Sequence, residues 1–328
     1  VSDFIWFDVI VMFKYVQKIV VNHVNASWGA VGSETRLTIR CSGAQNLSSS
    51  VCSFRRLEAY SEPITVPAVY ISSFRLTCKT PKHLLGPARY AIEISNNGVD
   101  FSGNGLQYEV TEPISLESMV PLIGTPDGGT KVQIMGSGFV DSPSLACRFG
   151  NDIIVPAVFK SRFHIFCEAP RGVPNMIHAV SVTLNGIDYS QESLDFEYLM
   201  TSTLVKVEPY DISAQKTETL ITVTGNSFYN RTGVKCSFTN SNSSNPNVVS
   251  AATYINKTTI QCASPVFAIF ATNVGEPYAF TSSMSITYND QEFSNPLEMT
   301  VSRVPKIISI SPEGAYAGAA LRLNISGA

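Results

Sequence analysis

The sequence predicts an all-β chain built from antiparallel β-sandwiches set in tandem, and three observations carry that expectation. Short alternating or β-branched runs are separated by Gly, Pro and Asn turns, as where Lys131-Val-Gln-Ile-Met135 lies between Gly124-Thr-Pro-Asp-Gly-Gly-Thr130 and Gly136-Ser-Gly-Phe139. No stretch holds the 3.6-residue apolar period of an amphipathic helix. A unit of sandwich size also recurs: Cys52-Ser-Phe54, Cys147-Arg-Phe149 and Cys236-Ser-Phe238 are followed in turn by Cys78-Lys-Thr-Pro81, Cys167-Glu-Ala-Pro170 and Cys262-Ala-Ser-Pro265.

The central unit shows the pattern most fully. Pro126 fixes one φ of the opening turn, and the glycines after it are free to take φ > 0. Polar and apolar residues then alternate through Lys131–Met135, so one face is buried and the strand is expected to end at Gly136. Further strands are expected at Cys147–Phe149, Ile153–Val155, Phe163–Cys167, Ala179–Leu184 and Phe196–Tyr198, with Asn185-Gly186 reading as a hairpin turn. That turn also has counterparts: Asn97-Gly-Val-Asp-Phe-Ser102, Asn185-Gly-Ile-Asp-Tyr-Ser190 and Asn289-Asp-Gln-Glu-Phe-Ser294.

Equivalent cysteines lie about 90 residues apart, one sandwich per period. This spacing divides the chain into domains at 18–111, 112–201 and 202–302. Phe13-Lys-Tyr-Val16 resembles Phe196-Glu-Tyr-Leu199, so residues 1–17 read as the C-terminal strands of a preceding domain. Ile308-Ser-Ile-Ser-Pro312 and Leu321–Gly327 restate opening strands, so 303–328 read as the start of a following one, and the sequence is expected to be a piece of a longer chain. Junctions such as Val110-Thr-Glu-Pro113 are short and lack a Gly/Ser-rich linker, which predicts a stiff rod of roughly 40 Å per domain.

Composition narrows the class of partner. A chain of 328 residues with 44% hydrophobic content can bury several cores. Its net charge of −3, with no basic run longer than Arg55-Arg56, leaves no surface for phosphate neutralisation, so nucleic acid is not an expected partner. Asp3, Asp8, Lys14 and Lys18 interrupt the apolar opening too often for a membrane span, and that opening lacks the form of a signal peptide.

The pattern resembles the IPT/TIG family of immunoglobulin-like domains. The residues that carry the resemblance are Pro126–Thr130, Gly136–Phe139 with its counterpart Gly225–Phe228, Cys147-Arg-Phe-Gly150, Cys167-x-x-Pro170 and Asn185-Gly186. It implies tandem immunoglobulin-like (E-set) sandwiches. The first repeat departs from it, with Cys41 where the others have glycine and Ala44 in place of the aromatic, and the third carries an insertion at Asn240–Asn247.

Six of the seven cysteines fall into matching pairs: Cys52 with Cys78, Cys147 with Cys167 and Cys236 with Cys262. Disulfides are the favoured reading, placing the chain in an oxidising compartment; buried reduced thiols, and least of all zinc, are the alternatives. Cys41 is left over, as a buried thiol or as a bond to another chain. Asn-x-Ser/Thr acceptor sites stand at Asn25, Asn46, Asn230, Asn242, Asn256 and Asn324, so N-linked glycans are expected; otherwise these are surface turns.

No nucleophile motif includes His23, His83, His164 or His178, and no carboxylate cluster has calcium-loop spacing. Asp188, Glu192, Asp195 and Glu197 read as a solvated strand edge. No catalytic, metal or cofactor site is expected. The chain reads as a non-enzymatic extracellular or cell-surface glycoprotein that reaches its place by the secretory pathway. Its sandwiches would form part of an appendage, filament or adhesive stalk, with further copies of itself or other surface proteins as partners. The middle repeat, which has no acceptor asparagine, is the surface expected to stay open for contact. The alternative is the stalk of a plexin-like or growth-factor-receptor-like ectodomain.

Overall fold

A computed structural model describes residues 15, 18–58, 61–84, 86–213, 218–240, 247–265, 279–302, 307–313 and 322–327. Of the expected remnant at 1–17, only Tyr15 lies within the described residues, so the strands proposed there, like Asn242 and most of the Asn240–Asn247 insertion, lie outside them. Every regular element among the described residues is a β-strand. The chain is all-β.

The first repeat contains β1 (Val20–Val24), β2 (Trp28–Ala30), β3 (Arg36–Ser42), β4 (Val51–Arg56), β5 (Ile64–Pro67), β6 (Val69–Ser72), β7 (Arg75–Lys79), β8 (Ala88–Ser95) and β9 (Leu106–Thr111). Two sheets, ordered β1-β3-β7-β6 and β2-β9-β8-β4-β5, enclose Leu37, Ile39, Phe54, Leu76, Ile92, Ile94 and Tyr108. In β3 the alternation is what the sequence leads one to expect, with Leu37, Ile39 and Cys41 buried and Arg36 and Arg40 exposed. Cys52 on β4 is bonded to Cys78 on β7, tying one sheet to the other.

The middle repeat runs through β10 (Ser115–Val120), β11 (Ile123–Gly124), β12 (Lys131–Ser137), β13 (Ala146–Phe149), β14 (Ile153–Ser161), β15 (His164–Glu168), β16 (Ile177–Thr183) and β17 (Leu194–Tyr198). The third follows the same plan with β18 (Thr203–Glu208), β19 (Asp211–Ser213), β20 (Leu220–Asn226), β21 (Lys235–Asn240), β22 (Val248–Asn256), β23 (Thr259–Ala263), β24 (Ala279–Thr287) and β25 (Leu297–Ser302). A last antiparallel pair is β26 (Ile307–Ser311) with β27 (Asn324–Gly327).

Compactness divides the chain into two units, and the division runs through the middle repeat. One unit holds the first repeat with β10, β12–β15 and most of β16, in the ladder β10-β12-β15-β14-β13-β16. The other holds the parallel pair of β11 and the end of β17, the third repeat and the β26–β27 pair. The third repeat's core gathers Ile221, Val223, Phe228, Phe238, Ile260, Met284, Ile286, Met299 and Val301 around the Cys236–Cys262 bond.

One strand changes sheets in every repeat. The amides of Ala68, Ala157 and Ala252 all donate out of the ladder, to Ser50, Leu145 and Val234 carbonyls. Residues before the switch pair with the Cys-x-Phe strand, and residues after it with the strand bearing the second cysteine. In the first repeat Ala68 interrupts the strand, giving β5 and β6; β14 and β22 run through the switch unbroken. Bonds Cys52–Cys78, Cys147–Cys167 and Cys236–Cys262, spanning 26, 20 and 26 residues, staple the two sides of each such crossing. Loops of that length contribute about 3 kcal/mol apiece in the chain-entropy account.

Candidate functional site: the joints between repeats

The chemistry that recurs outside the cores lies in the turn that follows β8, β16 and β24. In each repeat an asparagine folds its side chain back into its own turn. Asn185 Oδ1 accepts the amides of Ile187 and Asp188 at 2.8 Å, while Thr183 Oγ1 accepts the amide of Gly186 at 2.9 Å. Asn97 Oδ1 accepts from Val99 and Asp100 at 3.0 and 2.9 Å, and Asn289 Oδ1 accepts from Gln291 and Glu292 at 3.0 Å. The residue after the asparagine holds a positive φ in all three turns, at Gly98, Gly186 and Asp290. The expected two-residue hairpin at Asn185-Gly186 is therefore a longer asparagine-nucleated turn, closed by the bridge Thr183↔Tyr189.

Using its oxygen inside the turn leaves the asparagine's Nδ2 facing outward beside the acidic residue three positions on. Asn97 donates to Asp100 Oδ2 at 2.8 Å and Asn185 to Asp188 Oδ2 at 2.9 Å, and Asn289 donates to Glu292. Two of these turns are plugged into the preceding repeat. Asn185 Nδ2 donates to the Trp28 carbonyl at 2.9 Å, and Thr35 Oγ1 donates to Asp188 Oδ2 at 2.5 Å. Asn289 Nδ2 donates to the Ile123 carbonyl at 2.8 Å, and Thr130 Oγ1 donates to Glu292 Oε1 at 2.6 Å.

The receiving groups are equivalent. Trp28 sits on β2 opposite Glu109, and Ile123 sits on β11 opposite Glu197, both in parallel pairs; Thr35 and Thr130 immediately precede β3 and β12. Each threonine is fully buried. Glycine follows the residue with the accepting carbonyl in both sockets for a steric reason. A Cβ on Gly29 would stand 1.8 Å from the Tyr108 hydroxyl, and one on Gly124 would stand 2.4 Å from Thr130 Oγ1 and 2.6 Å from the Phe196 ring. Burial pushes the Tyr108 phenol up to about 12.

The surroundings of the joints differ. Beside the first lies a cleft of about 310 Å³ lined in part by Gly29, Ser33, Asn185 and Asp188. At the second only about 30 Å³ remains. Arg231 also grips Glu197 there with both Nη2 and Nε, at 2.6 and 2.8 Å.

The residues singled out in the sequence are placed as follows. Cys41 is buried on β3 without a disulfide partner, and burial pushes its thiol above the ordinary range. Asn25, Asn46, Asn230, Asn256 and Asn324 are all exposed. His164 shares a hydrogen bond with Ser161 at 3.2 Å. Glu192 and Asp195 are solvated, but Asp188 and Glu197 are not a mere solvated edge: both are engaged at joints, and each is half-buried. Sequence reading found the three turns as a repeat and missed their partners. The signal available was the threonine placed before the strand that follows each repeat's opening. Among the described residues no three His, Cys, Asp or Glu side chains converge to hold a metal, and no helix is long and apolar enough to cross a membrane.

Residues 114–198 and 202–301, together more than half of the chain, match the family model of the IPT/TIG domain. No protein of curated function matches the chain. Among solved structures it is similar to the full extracellular region of Plexin A4, at 15% identity and a TM-score of 0.43, over 92% of this chain and 26% of that one. It is similar also to invasin, a bacterial integrin-binding protein, at 11% identity and a TM-score of 0.24, over 91% and 63%. A third is the ICAM-5 D1–D4 ectodomain fragment, at 11% identity and a TM-score of 0.23, over 90% and 80%. The chain thus spans about a quarter of the plexin chain it matches.

Proposed function

The chain belongs to the IPT/TIG domain family, and from that premise we propose that it is a non-enzymatic extracellular protein whose linked sandwiches form part of a cell-surface appendage, filament or adhesive stalk. The observation that carries this reading is the repeated joint. The same asparagine and carboxylate lock two successive repeats onto the carbonyl and threonine of the repeat before, so these polar side chains hold repeats together. Disulfides within each repeat suit an oxidising compartment.

In this reading the domains are 18–111, 112–201 and 202–302, flanked by parts of others at 1–17 and 303–328. Exposed Asn25, Asn46, Asn230, Asn256 and Asn324, together with Asn242, carry N-linked glycans, and the middle repeat, without an acceptor site, is the face that meets other proteins. The partners are further copies of the chain or other surface proteins.

Secretion from an animal cell followed by peptide mass mapping tests this. Expected are three disulfides within repeats and glycan-dependent mass shifts at the acceptor asparagines that vanish on enzymatic deglycosylation. Alkylatable thiols at all six paired cysteines, together with unmodified asparagines, overturn the extracellular assignment.

A further inference from the structure

The outer face of one sheet differs among the three repeats, and strand register allows the comparison position by position. In the middle repeat Val120, Gln133, Phe166 and Val158 stand side by side across β10, β12, β15 and β14. Their strand neighbours Met119, Val132, Ile134 and Ile165 are buried, so this row points away from the core. Val120 and Val158 are 57% and 55% exposed, Phe166 is half-buried beside Val158, and Met135 extends the apolar surface into the next row.

The same row reads Glu208, Thr222, Gln261 and Thr253 in the third repeat. In the first it reads Asn25, Thr38, Thr77 and Val69. Both of those faces also carry an acceptor asparagine. Asn25 takes the place of Val120, and Asn256 pairs with Thr259 where Ser161 pairs with His164. The middle repeat has the apolar row and no acceptor site.

Charge on the same face names the occupant. At one end of the middle face Lys131 stands opposite Glu168, and both are exposed. Their counterparts are Arg36 and Lys79 in the first repeat, of one sign, and Leu220 and Ala263 in the third, without charge. A two-fold axis laid along the strands, over the line between β12 and β15, exchanges β12 with β15 and β10 with β14. It sets Lys131 of each copy against Glu168 of the other, Val120 against Val158, and Gln133 against Phe166. On the first repeat's face the same operation would bring Arg36 against Lys79.

We propose that this face binds its own equivalent on a second copy of the chain, closing an isologous dimer through the middle repeat. Strand spacing and rise give the face roughly 20 by 16 Å, well under the roughly 800 Å² per partner of a standard stable interface, so the contact is a weak one. The inference deepens the appendage or filament reading and rests on it, naming the surface through which one copy meets another.

Sedimentation of the whole secreted chain at low salt and up to about 1 mM tests the proposal. The wild type is expected to reach a dimer and stop there. Val158→Lys is expected to weaken dimerisation at least tenfold. Lys131→Glu and Glu168→Lys, each confirmed folded by its thermal melt, are expected to do the same, because like charges then face each other across the axis. Mixed in equal amounts these two variants are expected to dimerise again, since each wholly negative pair meets a wholly positive one. Damage to the fold would not be repaired by mixing. A wild type that stays monomeric or grows beyond the dimer, single variants that dimerise as it does, or a mixture that stays monomeric overturns the contact. The disulfide and glycan map of the same preparation decides the extracellular reading independently of these results.

Discussion

The first and second joints make the same two hydrogen bonds in different packing. At the first, Asp188 meets Thr35 beside a cleft of about 310 Å³, and the socket is floored by the Tyr108 hydroxyl. At the second, Glu292 meets Thr130 with about 30 Å³ left over, the floor is Phe196, and an ion pair from Arg231 to Glu197 is added. The polar pair is thus separable from its surroundings. Groups fixed by the turn set the registry between repeats, and the neighbouring packing sets how closely they are held.

The largest effect that separates the joints should come from their glycines. Gly29→Ala forces a Cβ against the buried Tyr108 hydroxyl, and a loss of about 3 kcal/mol in denaturant unfolding is expected. Gly124→Ala meets a threonine oxygen and a ring edge at longer distances, and about 2 kcal/mol is expected. Wild-type stability in Gly29→Ala would break the steric account of the socket.

Alkaline pH should come next, acting at the first joint through Tyr108. An unfolded tyrosine ionises near pH 10, while burial holds Tyr108 neutral up to about 12. Below pH 10 both states are neutral and stability is flat. Between pH 10 and 12 only the unfolded chain gives up its proton, so stability falls, by roughly 2 to 3 kcal/mol at the upper end. Tyr198, also raised to about 12, adds a similar fall from the middle repeat. Unfolding titrations of Tyr108→Phe should lose the Tyr108 share and keep that of Tyr198; an unchanged profile would deny the first joint its phenol.

Removing the shared hydrogen bond should affect both joints alike. Thr35→Val and Thr130→Val each lose a hydroxyl donor to a carboxylate and should cost about 1.5 kcal/mol. Double-mutant cycles with Asp188→Asn and Glu292→Gln measure the coupling directly. Coupling present in one cycle and absent from the other would mean that only one of the joints is a lock.

The ion pair should contribute least. Arg231→Ala, in a pair whose arginine side chain is 44% exposed, is expected to cost about 0.5 kcal/mol and to lose that effect in 1 M salt. A salt-insensitive loss of several kcal/mol would show that packing of the Arg231 stem, and not its charge, makes the second joint tight.

Much of the sandwich was legible because it is written at short range. Period-two alternation in Lys131–Met135 named the face that β12 buries, and the Cys-x-Phe and Cys-x-x-Pro signatures marked β13 and β15 through chemistry local to each strand. Edges were less legible. The parallel pairings of β2, β11 and β19 rest on two or three residues each, too few to show a period. The sheet switch at Ala68, Ala157 and Ala252 is carried by one backbone amide per repeat and marked only by a recurring alanine, which no periodicity picks out.

By itself the amino-acid order determined that one sandwich-sized unit recurs, which residues its strands turn inward, where its cysteines fall and that an asparagine turn ends the same hairpin each time. Only tertiary structure decided what that turn is for. Thr35 and Asp188 stand 153 positions apart, and Thr130 and Glu292 stand 162 apart. Whether they meet depends on how one folded repeat is set against the next, a matter of packing angle and volume that no local periodicity encodes, so a carboxylate that reads as solvated along the strand is found gripping a threonine across the joint.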